Sequence, residues 1–331
     1  MAAIRALVAT RRDSGLEVDY CDLSESDLGE GDVEVAVEYT TLNFKDGLAM
    51  TDAIPIVQKS PLILGIDMAG TVTASDSDKF KVGDRVVLNG YGASETRNGG
   101  YTERLRTSSD LLVKLPHSIS TREAMAIGTA GYTAMLSVLR LEQLDINPDR
   151  GDVLVTGASG GVGTTAISLL AKLGYRVTAS TGRMEEEAFL KSLGATQVIH
   201  RDELSSPGDP MQSTRWAAAV DSCGSHTLAN VLAQVDYNGV VTACGLAQGT
   251  DLPATVLPFA LRNVALLGVD SVNAPMRLRE QAWSRLETDL DRSKLDSLSF
   301  DLPFDQLTKA GPEILAGKIR GRAIVSMRSQ I

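Results

Sequence analysis

The chain has 331 residues, which is enough for about two domains with a sizeable hydrophobic core. Hydrophobic residues make up 43% of it and charged residues 22%, a balance that argues against a disordered chain or a fibrous repeat. The 32 basic and 42 acidic residues give a net charge of −10 without a basic cluster, which argues against a nucleic-acid partner and favours a small-molecule ligand.

The first part of the chain is rich in short β-type segments. Met1–Ala9 is predicted as the opening strand, because it is too short and too early interrupted by Arg5 for a signal peptide. Alternating residues predict further strands over 33–39, 70–73 and 84–88, and together these indicate an antiparallel, partly closed sheet. No run approaches the ~20 apolar residues that span a bilayer, so we expect no membrane association and a cytoplasmic protein.

From residue 121 onward, strands and helices alternate. A capping hydroxyl at Thr121 and the helical spacing after it predict a helix over 121–141. The same reasoning predicts an alternating series of strands and helices: strands 153–156, 175–181, 197–199, 217–221, 240–244 and 265–270, and helices 163–173, 184–193 and 227–234. This order requires right-handed crossovers and predicts an α/β fold with a doubly wound parallel sheet. In the tail, from Pro275 on, we expect two helices and a last strand over 322–327 that pairs with the first half.

A glycine-rich loop lies between a predicted strand and a predicted helix. Its segment Gly161-Val-Gly163-Thr-Thr-Ala166 fits the G-x-G-x-x-G/A template of dinucleotide-binding proteins. Glycine lets the backbone approach a pyrophosphate, and the helix start offers free N–H groups and the positive end of the helix dipole. The alternative is an ordinary tight turn. We favour a bound dinucleotide because strand, loop, helix and second strand follow in the required order.

The residues after the second strand of this unit indicate which dinucleotide binds. An NAD-binding protein would carry Asp or Glu here for the ribose 2′-hydroxyl, whereas the chain reads Ala179-Ser-Thr181-Gly182-Arg183. A guanidinium group beside a hydroxyl suits a 2′-phosphate, so the sequence favours NADPH. We expect Arg201, after the next strand, to share that phosphate or to flank the adenine. The alternative is that both arginines lie on solvated surface loops.

Metal and nucleophile chemistry find little support in the sequence. The three histidines show no zinc-site spacing with cysteine, so we expect no metal. The three cysteines are too scattered for a disulfide framework and are expected to be small buried hydrophobic residues. Gly157-Ala-Ser159-Gly-Gly161 has the G-x-S-x-G spacing of a nucleophile elbow, but Ser159 lies inside the glycine loop, where contact with phosphate explains it better than acylation.

Eight segments spread through the chain share one family pattern: Leu42–Asp46, Leu64–Thr71, Ile127–Met135, Val155–Gly163, Thr181–Arg183, Ala243–Leu246, Leu257–Asn263 and Gly268–Ser271. Together they resemble the medium-chain dehydrogenase/reductase superfamily, in its zinc-free quinone oxidoreductase branch, and most closely the acrylyl-CoA reductases. Zinc-dependent members of the superfamily carry Gly-His-Glu where this chain has Gly65-Ile-Asp67, which agrees with the expectation of no metal.

The resemblance implies two domains. Residues 1–122 and 273–331 would form a β-rich, partly barrel-like (GroES-like) substrate-binding domain, and residues 123–272 a Rossmann domain that binds NADPH in the cleft. The family pattern assigns the following residues to the cofactor: Phe44, Thr129, Ser159, Gly160, Gly161, Val162, Thr181, Gly182, Arg183, Arg201, Leu246, Ala260 and Ser271. The family also implies a homodimer, in which an edge strand such as 265–270 pairs across a twofold axis.

The same resemblance implies a reaction. NADPH would give a hydride to the β-carbon of a C=C bond conjugated to a thioester carbonyl, as in acrylyl-CoA, while a proton reaches the α-carbon. Polar residues of the motifs are the catalytic candidates. Asn43 and Thr129 would position the nicotinamide or the substrate. Lys45 and Asp46 would form either a proton-handling pair or a buried structural ion pair.

Departures from the family pattern leave the substrate open. Relatives often carry Tyr where this chain has Phe44, so water is expected to supply the proton. The loop Gly90–Gly100 lacks the Trp and His that are common in acrylyl-CoA reductases. A quinone or an enone is therefore an alternative substrate, and an NADPH-binding protein without catalysis is a third hypothesis. Arg320 and Arg322 are expected either to meet a CoA phosphate or to lie in an exposed turn.

Overall fold

The computed structural model describes residues 3–327, so Met1 and Ala2 of the predicted opening strand lie outside it. The strands, in chain order, are β1 (Ile4–Arg12), β2 (Gly15–Leu23), β3 (Val33–Leu42), β4 (Leu62–Ile63), β5 (Asp67–Ser75), β6 (Arg85–Asn89), β7 (Arg104–Thr107), β8 (Val113–Lys114), β9 (Val153–Val155), β10 (Val177–Thr181), β11 (Ala195–His200), β12 (Trp216–Asp221), β13 (Val235–Ala243), β14 (Ala265–Gly268), β15 (Ser299–Asp301) and β16 (Arg322–Ser326). The α-helices are α1 (Phe44–Thr51), α2 (Thr121–Glu142), α3 (Gly161–Lys172), α4 (Glu187–Leu193), α5 (Ser225–Gln234), α6 (Leu257–Arg262), α7 (Met276–Asp289), α8 (Leu295–Leu298) and α9 (Leu307–Leu315).

The described residues form two compact units. Residues 3–129, 271–287 and 295–327 belong to the first unit, and residues 130–270 and 288–294 to the second. The sequence places its domain boundaries at 122/123 and 272/273. The assignment of one domain to the substrate and of the other to NADPH stays a prediction.

Antiparallel pairing dominates the first unit. One sheet has the order β15-β16-β3-β5-β6-β8, with β7 also paired to β3, and a smaller sheet has the order β2-β1-β4. The core collects alternate residues of the strands, such as Val33, Val35 and Val37, because successive side chains of a strand point to opposite faces. The predicted return of the last strand is confirmed, since β16 pairs antiparallel to β3 with Ala323 opposite Leu42.

A parallel sheet with the order β11-β10-β9-β12-β13-β14 forms the centre of the second unit. The predicted doubly wound sheet is thereby confirmed. Strand β12 is buried along its whole length, which is typical of a strand in a sheet covered on both faces. The chain connection reverses direction at β9, so the loop after β9 lies at the sheet edge where ligands of such folds bind.

Several short elements were not predicted. Helix α1 has eight residues, which is too few to show a clear helical period. Strand β15 has three residues, and the alternating Leu16, Val18 and Tyr20 of β2 were missed. The tail contains α7, the single-turn α8 and α9 instead of two helices.

Helix α2 departs from its prediction in two ways. It is interrupted at Gly128, whose φ of 51° and ψ of −164° are not helical. Contrary to the expectation that no segment could span a membrane, α2 is long enough and apolar enough to do so. Inside the structure, however, 89% of its apolar stretch is buried, which is typical of a core helix.

Candidate functional site

The loop between β9 and α3 makes a narrow turn that side chains would block. Gly157 has a φ of 59°, a conformation that favours glycine, and a Cβ there would lie 2.4 Å from Ser222 Oγ. A Cβ on Gly163 would lie 2.5 Å from the carbonyl oxygen of Gly157, so α3 packs directly on the turn. Gly160 is the N-cap of α3. These glycines form an open backbone cradle at a helix N-terminus, as phosphate binding requires.

The register of the glycine pattern differs from the prediction. The sequence template starts at Gly161, whereas the structure places the tight turn at Gly157 and begins α3 at Gly161. The glycines of the turn are therefore spaced Gly157-x-x-Gly160-x-x-Gly163. A sequence template counts glycines along the chain and does not show which of them has a positive φ.

Two buried hydroxyl groups accompany this cradle. Ser159 Oγ and Thr181 Oγ1 are hydrogen-bonded at 2.7 Å, and both side chains are buried. The backbone N–H of Arg183 donates to Thr181 Oγ1 at 3.0 Å. Thr181 thus stands at the end of β10, where an NAD-binding protein would carry an acidic residue.

Two guanidinium groups lie at the same end of the sheet. Arg183 donates from Nη2 to the carbonyl oxygen of Ser159 at 3.1 Å, so its side chain reaches the glycine loop. Arg201 packs against Gly182, because a Cβ on this glycine would lie 2.7 Å from Arg201 Nε. Gly182 therefore makes room for Arg201 beside Arg183. The structure brings together the cationic residues that the sequence assigned to a 2′-phosphate.

The second unit fits the phosphorylated dinucleotide that the sequence predicts. The glycine turn offers backbone N–H groups without Cβ atoms in the way, as a pyrophosphate needs. Arg183, Arg201 and the hydroxyl of Thr181 supply charge and donors of the kind that a phosphate dianion binds. These residues would hold NADPH by its phosphates.

The other residues predicted for the cofactor are divided between the units. In the second unit, the first residues of α3 are Gly161 and Val162, and two further residues, Leu246 and Ala260, are exposed. The first unit contains Phe44, Thr129 and Ser271. Their contacts with NADPH stay predictions.

Asp221, at the end of β12, is a buried acidic residue that sequence reasoning missed. Its carboxylate accepts hydrogen bonds from Thr156 Oγ1 at 2.6 Å and from the backbone N–H of Gly224 at 2.8 Å. Burial raises the pKa of Asp221, and it also raises the pKa of Cys223 to about 11 and of Cys244 to about 12. Both thiols therefore stay protonated at neutral pH. The sequence predicts buried cysteines, whereas Cys21, Cys223 and Cys244 are each partly exposed as whole residues.

In the first unit, the completely buried carboxylate of Asp67 collects several donors. Thr129 donates to it from its backbone N–H at 2.7 Å and from its hydroxyl at 2.5 Å. Asn89 Nδ2 donates at 2.7 Å and Asn43 Nδ2 at 2.9 Å. Sequence reasoning did not select Asp67, because the donors named above lie 22 to 62 residues away along the chain.

A second buried carboxylate, Asp46, shares Asn43 with the first. Asp46 accepts hydrogen bonds from the backbone N–H and the Nδ2 of Asn43, at 2.9 and 3.1 Å, and from the backbone N–H of Ile66 at 2.9 Å. Burial and, next, the negative charge of Asp67 raise the pKa of Asp46 to about 7. Asp46 therefore titrates near neutral pH inside the protein.

Arg322 balances part of this negative charge. Its guanidinium donates to Asn43 Oδ1 and Thr41 Oγ1, each at 3.0 Å, and its Nη2 lies 3.9 Å from Asp67 Oδ2. Burial lowers the pKa of Arg322, although an arginine stays charged in a protein. Both sequence expectations for Arg322, a CoA phosphate ligand and an exposed turn residue, are wrong because its side chain is 2% exposed. Arg320 is exposed, and its role stays a prediction.

The amide of Asn43 is fully used inside the protein. Its Nδ2 donates to both buried carboxylates and its Oδ1 accepts from Arg322. The geometry therefore favours Asn43 as a residue that positions Asp46 and Asp67. Its predicted contact with nicotinamide or substrate stays a prediction.

Lys45 and Asp46 do not form the pair that the sequence suggested. Lys45 Nζ forms an ion pair with Glu95, whereas Asp46 faces Asn43 and Ile66. The reason is α1, since residues i and i+1 of a helix do not face each other. Phe44, just before them, is 36% exposed and carries no group that could donate a proton.

Two family profiles match the chain. The profile described as "Alcohol dehydrogenase GroES-like domain" matches residues 29–117, and the one described as "Zinc-binding dehydrogenase" matches residues 161–288. Within residues 3–327, no group of three or more His, Cys, Asp and Glu side chains could hold a metal ion. The donor set of this part of the chain therefore does not fit zinc.

The chain is similar over nearly its full length to proteins with named activities. Acrylyl-CoA reductase AcuI of Ruegeria pomeroyi is 47% identical over 308 residues, which cover 93% of each chain. The crystal structure of the YhdH oxidoreductase of Salmonella enterica in complex with NADP has a TM-score of 0.95 and 46% identity, covering 98% of this chain and 100% of the other. YhfP of Bacillus subtilis, described as a candidate quinone oxidoreductase, is 42% identical over 98% of each chain. Its crystal structure with NAD bound has a TM-score of 0.94 and covers 99% of this chain and 100% of the other.

Proposed function

The chain belongs to the medium-chain dehydrogenase/reductase superfamily, in the group of the acrylyl-CoA reductases, and we propose that it is an NADPH-dependent reductase of short enoyl-CoA thioesters. Its proposed reaction converts acrylyl-CoA to propionyl-CoA. The observation that carries this proposal is the phosphate cradle of the second unit, in which Arg183 and Arg201 flank Gly182. The choice of acyl substrate is supported by the full-length similarity to acrylyl-CoA reductase AcuI.

When bound, NADPH supplies the hydride that adds to the β-carbon of the conjugated C=C bond. The hydroxyl of Thr129 donates a hydrogen bond to Asp67. Toward a ligand, the hydroxyl oxygen therefore acts as an acceptor, which suits a carboxamide N–H group. Asp67 also holds the backbone N–H of Thr129, and this second bond fixes the direction of the hydroxyl. Thr129 is therefore proposed to orient the nicotinamide.

The proton that completes the reduction must reach the α-carbon. Phe44 has no donor group, and the hydrogen-bonding groups of Asn43 are committed to the buried carboxylates and Arg322. We therefore propose that water delivers the proton at the α-carbon. Arg322 and Asn43 hold Asp67 in place during this step.

A quinone or enone reductase is the second candidate. Its support is the 42% identity to YhfP and the loop 90–100, which lacks the Trp and His of the acrylyl-CoA reductases. The same glycine cradle would serve this activity, because both reactions begin with hydride transfer.

A steady-state assay separates the two candidates. Purified protein is mixed with NADPH or NADH and with acrylyl-CoA or a quinone, and coenzyme oxidation is followed by absorbance. We expect turnover of acrylyl-CoA with NADPH and much slower turnover with NADH. Rapid quinone reduction without any turnover of acrylyl-CoA would contradict the proposal and establish the second candidate.

We also propose that the protein is a homodimer and that it works in the cytoplasm. The support for the dimer is β14, the last strand of the parallel sheet, together with exposed apolar residues on α6 immediately before it. The support for the compartment is the proposed chemistry, because NADPH and CoA thioesters are intracellular metabolites.

A further inference from the structure

Arg279 of α7 is a buried cation that the proposed mechanism does not use. Its side chain is 1% exposed. Its guanidinium carbon lies 3.6 Å from the centre of the Tyr91 ring, a stacked cation–π arrangement. A charge buried to this extent is costly unless its donors are satisfied, so its contacts indicate what the residue does.

The donors of Arg279 bind backbone carbonyl groups from two separate segments. Nε donates to Ala274 at 2.9 Å, and Nη2 donates to Ser271 at 3.0 Å and to Val272 at 2.6 Å. Nη1 donates to the carbonyl oxygen of Asn89. One planar guanidinium therefore fastens segment 271–274 to the end of β6, and its fixed fork sets their mutual geometry.

Tyr91 fastens the same two segments. Its backbone N–H donates to the carbonyl oxygen of Val272 at 3.0 Å, and its hydroxyl donates to that of Ala274 at 2.9 Å. A Cβ on Gly90 would lie 2.9 Å from Val272 Cα, so the two backbones are in close contact. Tyr91 itself has a φ of 52°, a strained conformation that these contacts maintain.

The fastened segments lead to the Asp67 centre. Asn89, whose carbonyl binds Arg279, donates from Nδ2 to Asp67 at 2.7 Å. The Oδ1 of Asn89 accepts from the indole N–H of Trp283, one helical turn after Arg279. Asp67 in turn holds the backbone and the hydroxyl of Thr129. Contacts thus run without a gap from α7 to the residue assigned to the nicotinamide.

We propose that Arg279 is a positioning residue for hydride transfer. It holds segment 271–274 and Asn89 so that Asp67 and Thr129 keep the geometry that the reaction needs. The catalytic part of this proposal rests on the proposed function. The clamp itself rests only on the contacts of Arg279.

The test compares Arg279→Met and Arg279→Lys with the wild-type protein at a fixed interval below each melting temperature. Hydrogen exchange in peptides that cover 89–97 and 271–275 is expected to be roughly tenfold faster in Arg279→Met, because four carbonyl groups lose their hydrogen bonds from Arg279 and only those of Val272 and Ala274 keep one from Tyr91. With acrylyl-CoA and NADPH, kcat is expected to fall roughly 10- to 100-fold, since small displacements of reacting groups are costly. The Kd of NADPH is expected to change less than about threefold, because the second unit holds its phosphates. Arg279→Lys keeps the charge, so its exchange rates and its kcat are expected to lie between those of the wild type and of Arg279→Met. This variant also provides the test if Arg279→Met does not fold.

Ala282→Gly is the matched control, because it weakens the same helix at a buried position and removes none of the hydrogen bonds to segment 271–274 or to Asn89. It is expected to melt earlier with wild-type exchange in both segments and kcat within about twofold of the wild type. A kcat within about twofold of wild type in both folded Arg279 variants, or an equal loss of kcat in Ala282→Gly, overturns the proposal. A wild-type protein without enoyl-thioester turnover overturns the proposed function and the catalytic part with it. Exchange rates that do not change in the Arg279 variants overturn the clamp.

Discussion

The guanidinium of Arg183 reaches the carbonyl oxygen of Ser159, in the turn that would hold a pyrophosphate. Replacing it in Arg183→Ala removes a charge-assisted partner of the 2′-phosphate. We expect the KM for NADPH to rise about 10- to 150-fold, which corresponds to ~1.5–3 kcal/mol, while the KM for NADH stays nearly constant. Steady-state kinetics with each coenzyme measure both values.

Arg176→Ala is the control for Arg183→Ala. Arg176 precedes β10 at its opposite end and pairs with Asp152 on the surface. Its loss is expected to leave both KM values unchanged. An equal loss of affinity for NADPH and NADH in Arg183→Ala would mean that this arginine does not read the 2′-phosphate.

Asp46 is expected to make the protein less stable as the pH rises. Its pKa is about 7 in the folded protein against a usual value of 3.8, so between these values the folded state binds more protons than the unfolded state. The free energy of unfolding therefore decreases with increasing pH in this window. The melting temperature of the wild type should fall more steeply between about pH 5 and about pH 7 than that of Asp46→Asn, measured by calorimetry.

Asp84→Asn serves as the control for this pH dependence. A hydrogen bond from Lys114 lowers the pKa of Asp84, so this residue is ionised between about pH 5 and about pH 7 in the folded and the unfolded state. Asp84→Asn is expected to keep the wild-type slope, whatever its melting temperature. Parallel slopes for the wild type and Asp46→Asn would refute the role of Asp46.

At the scale of elements, β14 and α6 form the exposed border of the parallel sheet. β14 is the last strand in the order, and Leu261 of α6 is 63% exposed. An unpaired strand edge beside apolar side chains is typical of a surface that binds a second copy. We expect a particle of about twice the 35.2 kDa of the chain and dissociation to monomers in Leu261→Asp, both measured by light scattering after gel filtration.

Val82→Asp provides the comparison for this surface. Val82 is 66% exposed in the first unit and is therefore an equally accessible apolar residue. This variant should remain dimeric. A wild-type protein that elutes as a monomer, or a Leu261→Asp variant that stays dimeric, would rule out β14 and α6 as the interface.

Over the whole molecule, local sequence patterns predicted those features that depend on residues close together in the chain. The alternation of strands and helices predicted the parallel sheet, and the residues after β10 predicted the cationic group formed by Arg183 and Arg201. The buried centre of the first unit was missed because its contacts are distant in sequence, such as that between Arg322 and Asn43, 279 residues apart. No pattern along the chain shows that β16 would carry an arginine into the interior.

The error at Lys45 and Asp46 has a local cause. Lys45 and Asp46 are neighbours in sequence, and without the helix they look like an ion pair. In α1 they point in different directions, toward Glu95 and toward Asn43. The offset between the glycine template and the tight turn has a similar origin, because only the backbone conformation distinguishes Gly157 from Gly161.

The break in α2 at Gly128 has a consequence for engineering. Exchanging a glycine inside a helix for alanine ordinarily stabilises a protein by about 1 kcal/mol. Here the added methyl group would lie 2.2 Å from Arg322 Nη2 and 2.9 Å from Asp67 Oδ2. At the interruption, the carbonyl oxygen of Ala126 accepts a hydrogen bond from Arg322, and the N–H of Thr129 donates one to Asp67. A continuous helix would use both backbone groups for its own hydrogen bonds and would take them from Arg322 and Asp67. Substitutions meant to raise the melting temperature of this enzyme should therefore leave Gly128 unchanged and be made at other positions.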